Sequence, residues 1–296
     1  MPDLIITGVP RSGTTLAAAI IDQAPDSLCL SEPEGHVDLM REAASPEDFV
    51  AKLCREFDSV RRAILSGGSV LDRRRADGAP VTDYFSDRLP DGRRGAAFVM
   101  RSIHRSGMSA DFVLGVKHNA LYAAVLPEIV ESGRFRVVAI VRNPVAALMS
   151  WQAVDLPISR GRLPAGERFW PELVALGRAD LDLTERQIRI CDLIMHRFGQ
   201  LADRIAVIPY EVFTADPAQL LAAAKISLPM RCPINSIARP TPAEADGDRP
   251  RAQLAERIRQ LFATGQLPGI SRYYPHCGPA AGSHAAGEGL DFGRML

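Results

Sequence analysis

The chain has 296 residues, 47% hydrophobic and 24% charged, an ordinary globular composition whose length suits one large domain or two modest ones. Lys plus Arg and Asp plus Glu each total 35. No global field therefore draws the chain to nucleic acid or an anionic membrane, and any anion must be held by a local pocket. The cysteines Cys29, Cys54, Cys191, Cys232 and Cys277 are odd in number, widely spaced and without CxxC or Cys/His clustering, which argues against a disulfide framework or zinc site and fits a reducing cytoplasm.

In chain order, the apolar run 4–6, ended by Gly8 and Pro10, predicts a buried strand. No basic region or small-residue cleavage site precedes it, and no stretch reaches the ~18 apolar residues of a membrane span, so a soluble cytoplasmic protein is expected. Residues 14–24, rich in Ala, Leu and Ile and stopped at Pro25, predict a helix, and 28–30 a second strand. Strand, glycine-bearing turn, helix and strand within about thirty residues form a βαβ unit, which points to a parallel α/β sheet flanked by helices. A helix is expected around 49–65. Residues 66–95, crowded with Gly, Asp and Arg, read as exposed loops inserted between sheet elements. Further strands are expected at 112–116, 135–141 and 204–208, with helices over 120–131 and about 172–198. The prolines of 229–250 predict an irregular, lid-like loop before a last helix at 251–262. The Gly/Ala-rich tail 276–296 reads as mobile, outside a single domain of residues 1–275. There is no internal repeat.

The first turn reads Gly8-Val9-Pro10-Arg11-Ser12-Gly13-Thr14-Thr15. Unpaired backbone N–H groups and the partial positive charge of a helix start favour a phosphate there. Gly13 allows close approach, and the hydroxyls of Ser12, Thr14 and Thr15 can add donors. The spacing matches a nucleotide P-loop, but Thr14 stands where a nucleotide triphosphatase needs Lys, and the cation has moved to Arg11.

Pro-Arg-Ser-Gly-Thr-Thr after a strand resembles the 5′-phosphosulfate loop of sulfotransferases that use the nucleotide donor PAPS. The run 4–34 is similar to the branch holding tyrosylprotein and many bacterial sulfotransferases. The resemblance implies a P-loop-type α/β fold and sulfuryl transfer from PAPS, with PAP as product and no necessary metal. It also implies a second anchor, an Arg at a strand end with a Ser eight residues later on a helix, for the 3′-phosphate. Arg142 and Ser150 reproduce that pair in the run 141–151, where Asn143 suits a helix N-cap and Pro144 the first helical position. Tyr210, in Tyr-Glu-Val-Phe followed by Asp216-Pro217, matches a family stretch whose Tyr lies near the adenine, although Phe213 replaces the usual Leu.

Sulfuryl transfer resembles phosphoryl transfer in needing a base for the acceptor hydroxyl and cations around the leaving oxygens. The resemblance implies that Arg11 stabilises the leaving phosphate and that Lys117 contacts the transferring group. Glu32, after the second strand, matches the base of the tyrosylprotein branch, with Glu34 a near neighbour that can be confused with it. Partial burial is expected to raise its pKa. His118 keeps a second scheme open, because aryl and steroid sulfotransferases use a His base in a related stretch, although His118 directly follows the Lys. Arg73–Arg75 and Arg93–Arg94 read as solvated loop surface, or as guides for an anionic acceptor. His36, His104 and His196 receive no role. The acceptor is expected to be a small alcohol, sugar or secondary metabolite, and the oligomeric state is not legible. A P-loop kinase or triphosphatase is disfavoured by Thr14 and by Arg142 at a strand end where a magnesium-holding Asp belongs. A non-catalytic PAP-binding protein stays open.

Overall fold

The computed structural model describes residues 3–88, 94–227 and 248–278. The elements begin β1 (Asp3–Gly8), α1 (Thr14–Asp22), β2 (Ser27–Ser31), α2 (Glu34–Glu42) and α3 (Pro46–Leu65). An insertion follows with β3 (Ser69–Arg74), β4 (Phe85–Arg88), β5 (Arg94–Ala96) and β6 (Val99–His104). Next are β7 (Val113–Lys117), α4 (Asn119–Ala124), α5 (Leu126–Glu131), β8 (Phe135–Val141) and α6 (Pro144–Gln152). The chain continues through α7 (Pro164–Glu167), α8 (Pro171–Arg178), α9 (Leu183–Gln200), β9 (Ala206–Pro209), α10 (Tyr210–Ala215) and α11 (Pro217–Ala223), then α12 (Asp248–Ala263) and α13 (Pro268–Tyr273).

The main sheet is five-stranded, ordered β2-β7-β1-β8-β9, and every pair in it is parallel. Its inner strands are buried along their length except at Arg136 near the start of β8, as near-continuous apolar strands must be when helices cover both faces. Alternation along β1 divides the core. Ile5 packs with Val137, Ala139 and the apolar side chains of α3 to α6 and α9. Leu4 and Ile6 pack with Val138, Ile140 and those of α1 and α11. β1 therefore leads into a helix on one face and β8 into a helix on the other. Where neighbouring strands diverge in this way, a crevice opens beyond their carboxyl ends. The expected α/β class holds.

β2 is an edge strand, and its outward N–H groups need partners. Cys29 N donates to Asp22 Oδ1 at 3.0 Å and Ser31 N to Asp72 Oδ1 at 2.7 Å. Arg74 ties the two carboxylates together, forking onto Asp22 at 2.6 and 3.1 Å and placing Nε 2.8 Å from Asp72. Burial pushes the Asp72 carboxyl up to about 6 despite the arginine beside it. A cleft of about 510 Å³ beside this cluster, lined by Asp22, Asp26, Arg74 and Arg105, adjoins the C-terminus of α1 and the start of β2, away from the strand ends.

The insertion corrects the reading of 66–95 as exposed loops. β3 pairs antiparallel with β6 from Ser69–His104 to Arg74–Val99, and β4 pairs with β5. Arg74 belongs to no solvated cluster: it is 2% exposed. Both long helices expected from periodicity are divided. Val125 at φ −111°, ψ 24° separates α4 from α5, because Pro127 offers no N–H to the carbonyl four residues back and its ring crowds that carbonyl, so it is tolerated only in the first turn of a new helix. Residues 179–182 separate α8 from α9, where Asp182 caps a new helix by accepting from Glu185 N. The proline-rich segment 229–250, except its last residues in α12, and the tail beyond 278 lie outside the described residues.

Removing one member of a buried ion cluster leaves an uncompensated charge, at a cost of about 3–5 kcal/mol. Arg74→Ala should therefore lower the urea midpoint strongly, whereas Arg75→Ala, in an exposed pair with Asp77, should leave it unchanged. Equal midpoints for the two variants would remove the cluster from the account of the edge.

Candidate active site

The carboxyl ends of the sheet strands carry nearly every residue singled out from the sequence. After β1 the chain turns sharply, with Arg11 at φ 64° and Gly13 at φ 86°. Val9 N donates to Ile140 O at 3.0 Å and Ser12 N to Val9 O at 3.0 Å, fixing the turn to β8. Gly13 is required on two counts: its left-handed backbone, and a Cβ there would sit 2.4 Å from the Tyr210 ring. No side chain caps α1 and no acidic residue lies in its first turn, so its leading N–H groups and positive dipole end face outward beside Arg11. Thr14 is buried and Thr15 half-buried at this helix start. Ser12 differs from expectation. Its hydroxyl donates to Ile140 O at 3.1 Å, so it shapes the loop and has no proton left to offer a ligand.

The second anchor touches the first. Arg142 Nη1 donates to Arg11 O at 2.9 Å, and Arg11 Nε donates to Ser150 Oγ at 3.2 Å. Asn143 caps α6 by accepting from Ala146 N at 3.3 Å, behind Pro144 at its start. That helix is tied to the loop by Trp151, which donates from Nε1 to Pro10 O at 2.7 Å. Tyr210, at the end of β9, lies against Gly13 with the Arg142 guanidinium carbon 4.4 Å from its ring centre. Arg142 Nε is buried without a hydrogen-bond partner among the described residues.

Glu32 and Lys117 meet on the other side of Arg11. Glu32 sits at φ 53° with its N–H on Lys117 O at 2.9 Å. Lys117 Nζ contacts Glu32 Oε1 at 2.5 Å, and Arg73 Nη1 donates to Oε2 at 2.8 Å. Burial pushes the Glu32 carboxyl up, but Lys117, His118 and Arg73 together outweigh it and hold the group at about 2. The expected upward shift is thus reversed: two cations bear directly on the carboxylate. Burial lowers the Lys117 ammonium, while Glu32 opposes that shift. His118 is buried, its Nδ1 without a partner among the described residues. Burial, opposed by Glu32 and aided by Lys117 and Arg73, lowers it to about 4.

Arg73 and His36 were assigned too little from sequence. Arg73 is no surface charge: its guanidinium carbon lies 5.2 Å from the Tyr84 ring centre and 5.0 Å from that of Phe98, with Glu32 at its tip. Neither 69–74 (Ser-Val-Leu-Asp-Arg-Arg) nor 99–104 (Val-Met-Arg-Ser-Ile-His) alternates apolar with polar residues, so local pattern gave no clear signal for the ribbon that delivers it. His36 Nδ1 is 2.6 Å from the Tyr122 hydroxyl. Burial, with a smaller push from His118, lowers it to about 3. Tyr122 in turn lies against His118, ring centres 5.8 Å apart. Glu34, at the start of α2, makes no contact with this group comparable to that of Glu32. Arg93 and the Arg94 side chain lie outside the described residues. No set of three or more His, Cys, Asp or Glu residues among the described residues is placed to hold a metal ion, and no helix there is long and apolar enough to cross a membrane.

A parallel α/β sheet with an uncapped helix start and two arginines at its carboxyl edge is a geometry that favours anions. The sulfotransferase family profile matches residues 2–224, and the chain belongs to that family. No curated protein sequence matches it. Among solved structures, a sulfotransferase from Alicyclobacillus acidocaldarius is 15% identical, over 94% of this chain and 96% of that one, with a TM-score of 0.41. The sulfotransferase domain from the curacin biosynthetic pathway is 14% identical over 78% and 76% of the two chains, TM-score 0.41. The sulfotransferase STF1 from Mycobacterium tuberculosis is 11% identical over 77% and 68%, TM-score 0.36. The family match carries the assignment.

The two buried histidines give a pH signature. Each is held neutral in the fold, so its stabilising contribution is complete above the unfolded value of about 6.5. That contribution is lost as pH falls toward about 4 for His118 and about 3 for His36. The Asp72 and Asp192 carboxyls, pushed up by burial to about 6, titrate with the opposite sign over the same window, so the histidine part is read by difference: between pH 6.5 and 4.5 the wild-type urea midpoint should fall relative to that of His36→Gln. An unchanged slope in the variant would show that His36 protonates in the fold as readily as in water.

Proposed function

We propose that the chain transfers a sulfuryl group from PAPS to the hydroxyl of a small alcohol, sugar or secondary metabolite, with Glu32 as general base. The observation that carries the donor assignment is the continuity of the two anchors. Arg142 bonds the Arg11 carbonyl and Arg11 bonds Ser150, so one bisphosphorylated nucleotide can reach both.

The residues fit such a donor. The uncapped start of α1 supplies N–H groups and positive potential for an anion. The buried, unpartnered Nε of Arg142 is a donor aimed at no group of the described chain, which suits an acceptor oxygen brought by a ligand. Arg11, the backbone around Gly13, and Thr14 and Thr15 would hold the 5′ side. Arg142 and Ser150 would hold the 3′-phosphate, and Tyr210, packed on Gly13 and Arg142, the nucleoside. PAPS, when bound, supplies an electrophilic sulfur with a phosphate leaving group.

The chain's own residues then have separable tasks. Arg11 and the start of α1 hold negative charge at the loop, an electrostatic role commonly worth about 3–4 kcal/mol. Glu32 is ionised throughout the neutral range, which is the form that accepts the acceptor's proton. Its basicity is low while Lys117 donates to it. Drawing the Lys117 ammonium toward a second anion would lift that depression and raise the carboxyl toward its ordinary range. His118, neutral and buried beside Glu32, is the second candidate for the base.

Incubation with PAPS and an acceptor panel, read by mass spectrometry, should reveal a sulfated product. Glu32→Gln and Lys117→Ala should each lower kcat by about 100- to 10,000-fold, with PAP affinity within about threefold of wild type. PAP should raise the melting temperature and ATP with Mg²⁺ should not. Turnover retained in Glu32→Gln but lost in His118→Gln would move the base to His118. Stabilisation by ATP with Mg²⁺ alone would replace the reading by a kinase or triphosphatase, and PAP binding without turnover by a binding protein.

A further inference from the structure

All three nitrogens of the Arg11 guanidinium already donate within the chain. Its Nη1 and Nη2 donate to Asp83 Oδ1 and Oδ2 at 3.1 and 3.3 Å, and its Nε donates to Ser150. The Phe85 ring centre lies 5.0 Å from the same guanidinium. Tyr84, between these two, has Lys117 Nζ 4.6 Å from its ring centre and its hydroxyl 2.7 Å from Ser31 Oγ. Three successive residues of the insertion thus cover the cations at the ends of β1 and β7.

A carboxylate forked onto an arginine uses the geometry that a phosphate or sulfate oxygen pair uses. The two cannot share the same Nη pair. The Arg11–Asp83 pair is also only partly buried, with side-chain exposures of 18% and 31%, so its own net strength is modest and an anion of higher charge can replace it. We propose that residues 83–85 form a carboxylate strap that competes with the donor's anionic group for the Arg11 fork, so that Asp83 sets donor affinity and donor binding displaces the strap from Arg11. The identity of the anion rests on the donor reading above; the competition itself does not. Because Tyr84 moves with Asp83, displacement also frees one face of Lys117, linking donor loading to the group beside the base.

The test measures binding of two probes, inorganic pyrophosphate and PAP, to the full chain and to Asp83→Asn, Asp83→Ala and Asp77→Asn. Hydrogen exchange of residues 76–85 is followed alongside. Loss of a partly exposed ion pair should tighten both probes by about 3- to 10-fold in the Asp83 variants. Asp77→Asn removes an equal charge from the insertion, from an exposed carboxylate ion-paired with Arg75, and should not. Exchange in 76–85 should rise when either probe binds the wild type. Should Asp83→Ala fail to fold, Asp83→Asn, isosteric with the native residue, carries the measurement. Unchanged or weaker pyrophosphate binding in the Asp83 variants overturns the strap, as does an equal gain in Asp77→Asn, or a gain with no rise in exchange. Tighter pyrophosphate binding with no PAP binding to any variant keeps the strap and removes the donor reading.

Discussion

Arg11 and Gly13 both take positive φ, and the arrangement at the strand ends is organised around the turn those two angles make. The turn points the first N–H groups of α1 outward, brings the Arg11 carbonyl to Arg142, and leaves room at Gly13 for the Tyr210 ring. A left-handed arginine carries a local cost of about 1–3 kcal/mol, and the surrounding structure holds it through several bonds. Ile140 O accepts from Val9 N and from Ser12 Oγ, and Pro10 O accepts from Trp151. These come from β8 and α6, which are over a hundred residues away in sequence, so the turn is stable only in the assembled sheet.

The chain has zero formal net charge, but the site keeps a small positive surplus. Arg11 faces Asp83, while Lys117 and Arg73 share Glu32. Pairing of this kind lets cations sit partly out of water, since each has a carboxylate beside it. It also means that an arriving anion finds no idle cation on this side of the loop and must change an existing pair. Arg142 and Arg73 each keep a buried Nε without a hydrogen-bond partner among the described residues.

What the sequence made legible is what local pattern encodes. The strands at 4–6, 28–30 and 135–141, the turn between β1 and α1, and the placement of Arg142 and Ser150 all follow from apolar runs, punctuating Gly and Pro, and spacing within one βα unit. Residue 32 was placed at the sheet edge for the same reason. The environment of Glu32 was not legible, because Arg73 and Lys117 reach it from 41 and 85 positions away. Burial alone argues for a raised carboxyl; those two contacts decide the opposite sign. The insertion was misread because its Arg-rich composition suggested solvent, whereas Asp22 and Asp72, which cap the β2 edge, supply the partners that bury Arg74. The divided helices were missed for a smaller reason: apolar periodicity continued across Pro127 and across the Asp182 cap.

The insertion is the element that makes the separate charges answer to one another. β3 brings Arg73 to Glu32, and eleven residues from Arg73 to Tyr84 bring the chain back across Arg11 and Lys117. The ribbon is anchored at the far end by Arg74 on Asp22 and Asp72, so Arg73 is fixed next to a buried residue while Asp83 sits on a half-exposed contact. Between these points the stretch is held at Tyr84, whose hydroxyl lies 2.7 Å from Ser31 Oγ and whose ring faces both Arg73 and Lys117. In the strap proposed above, release of Arg11 by Asp83 would therefore be felt at Tyr84 and through it at both cations beside Glu32. Arg73 holds Glu32 Oε2 while Lys117 holds Oε1, so under the proposed function the carboxylate would keep one cation to orient it if Lys117 turned to a second anion, the condition under which Glu32 would gain basicity and keep its position.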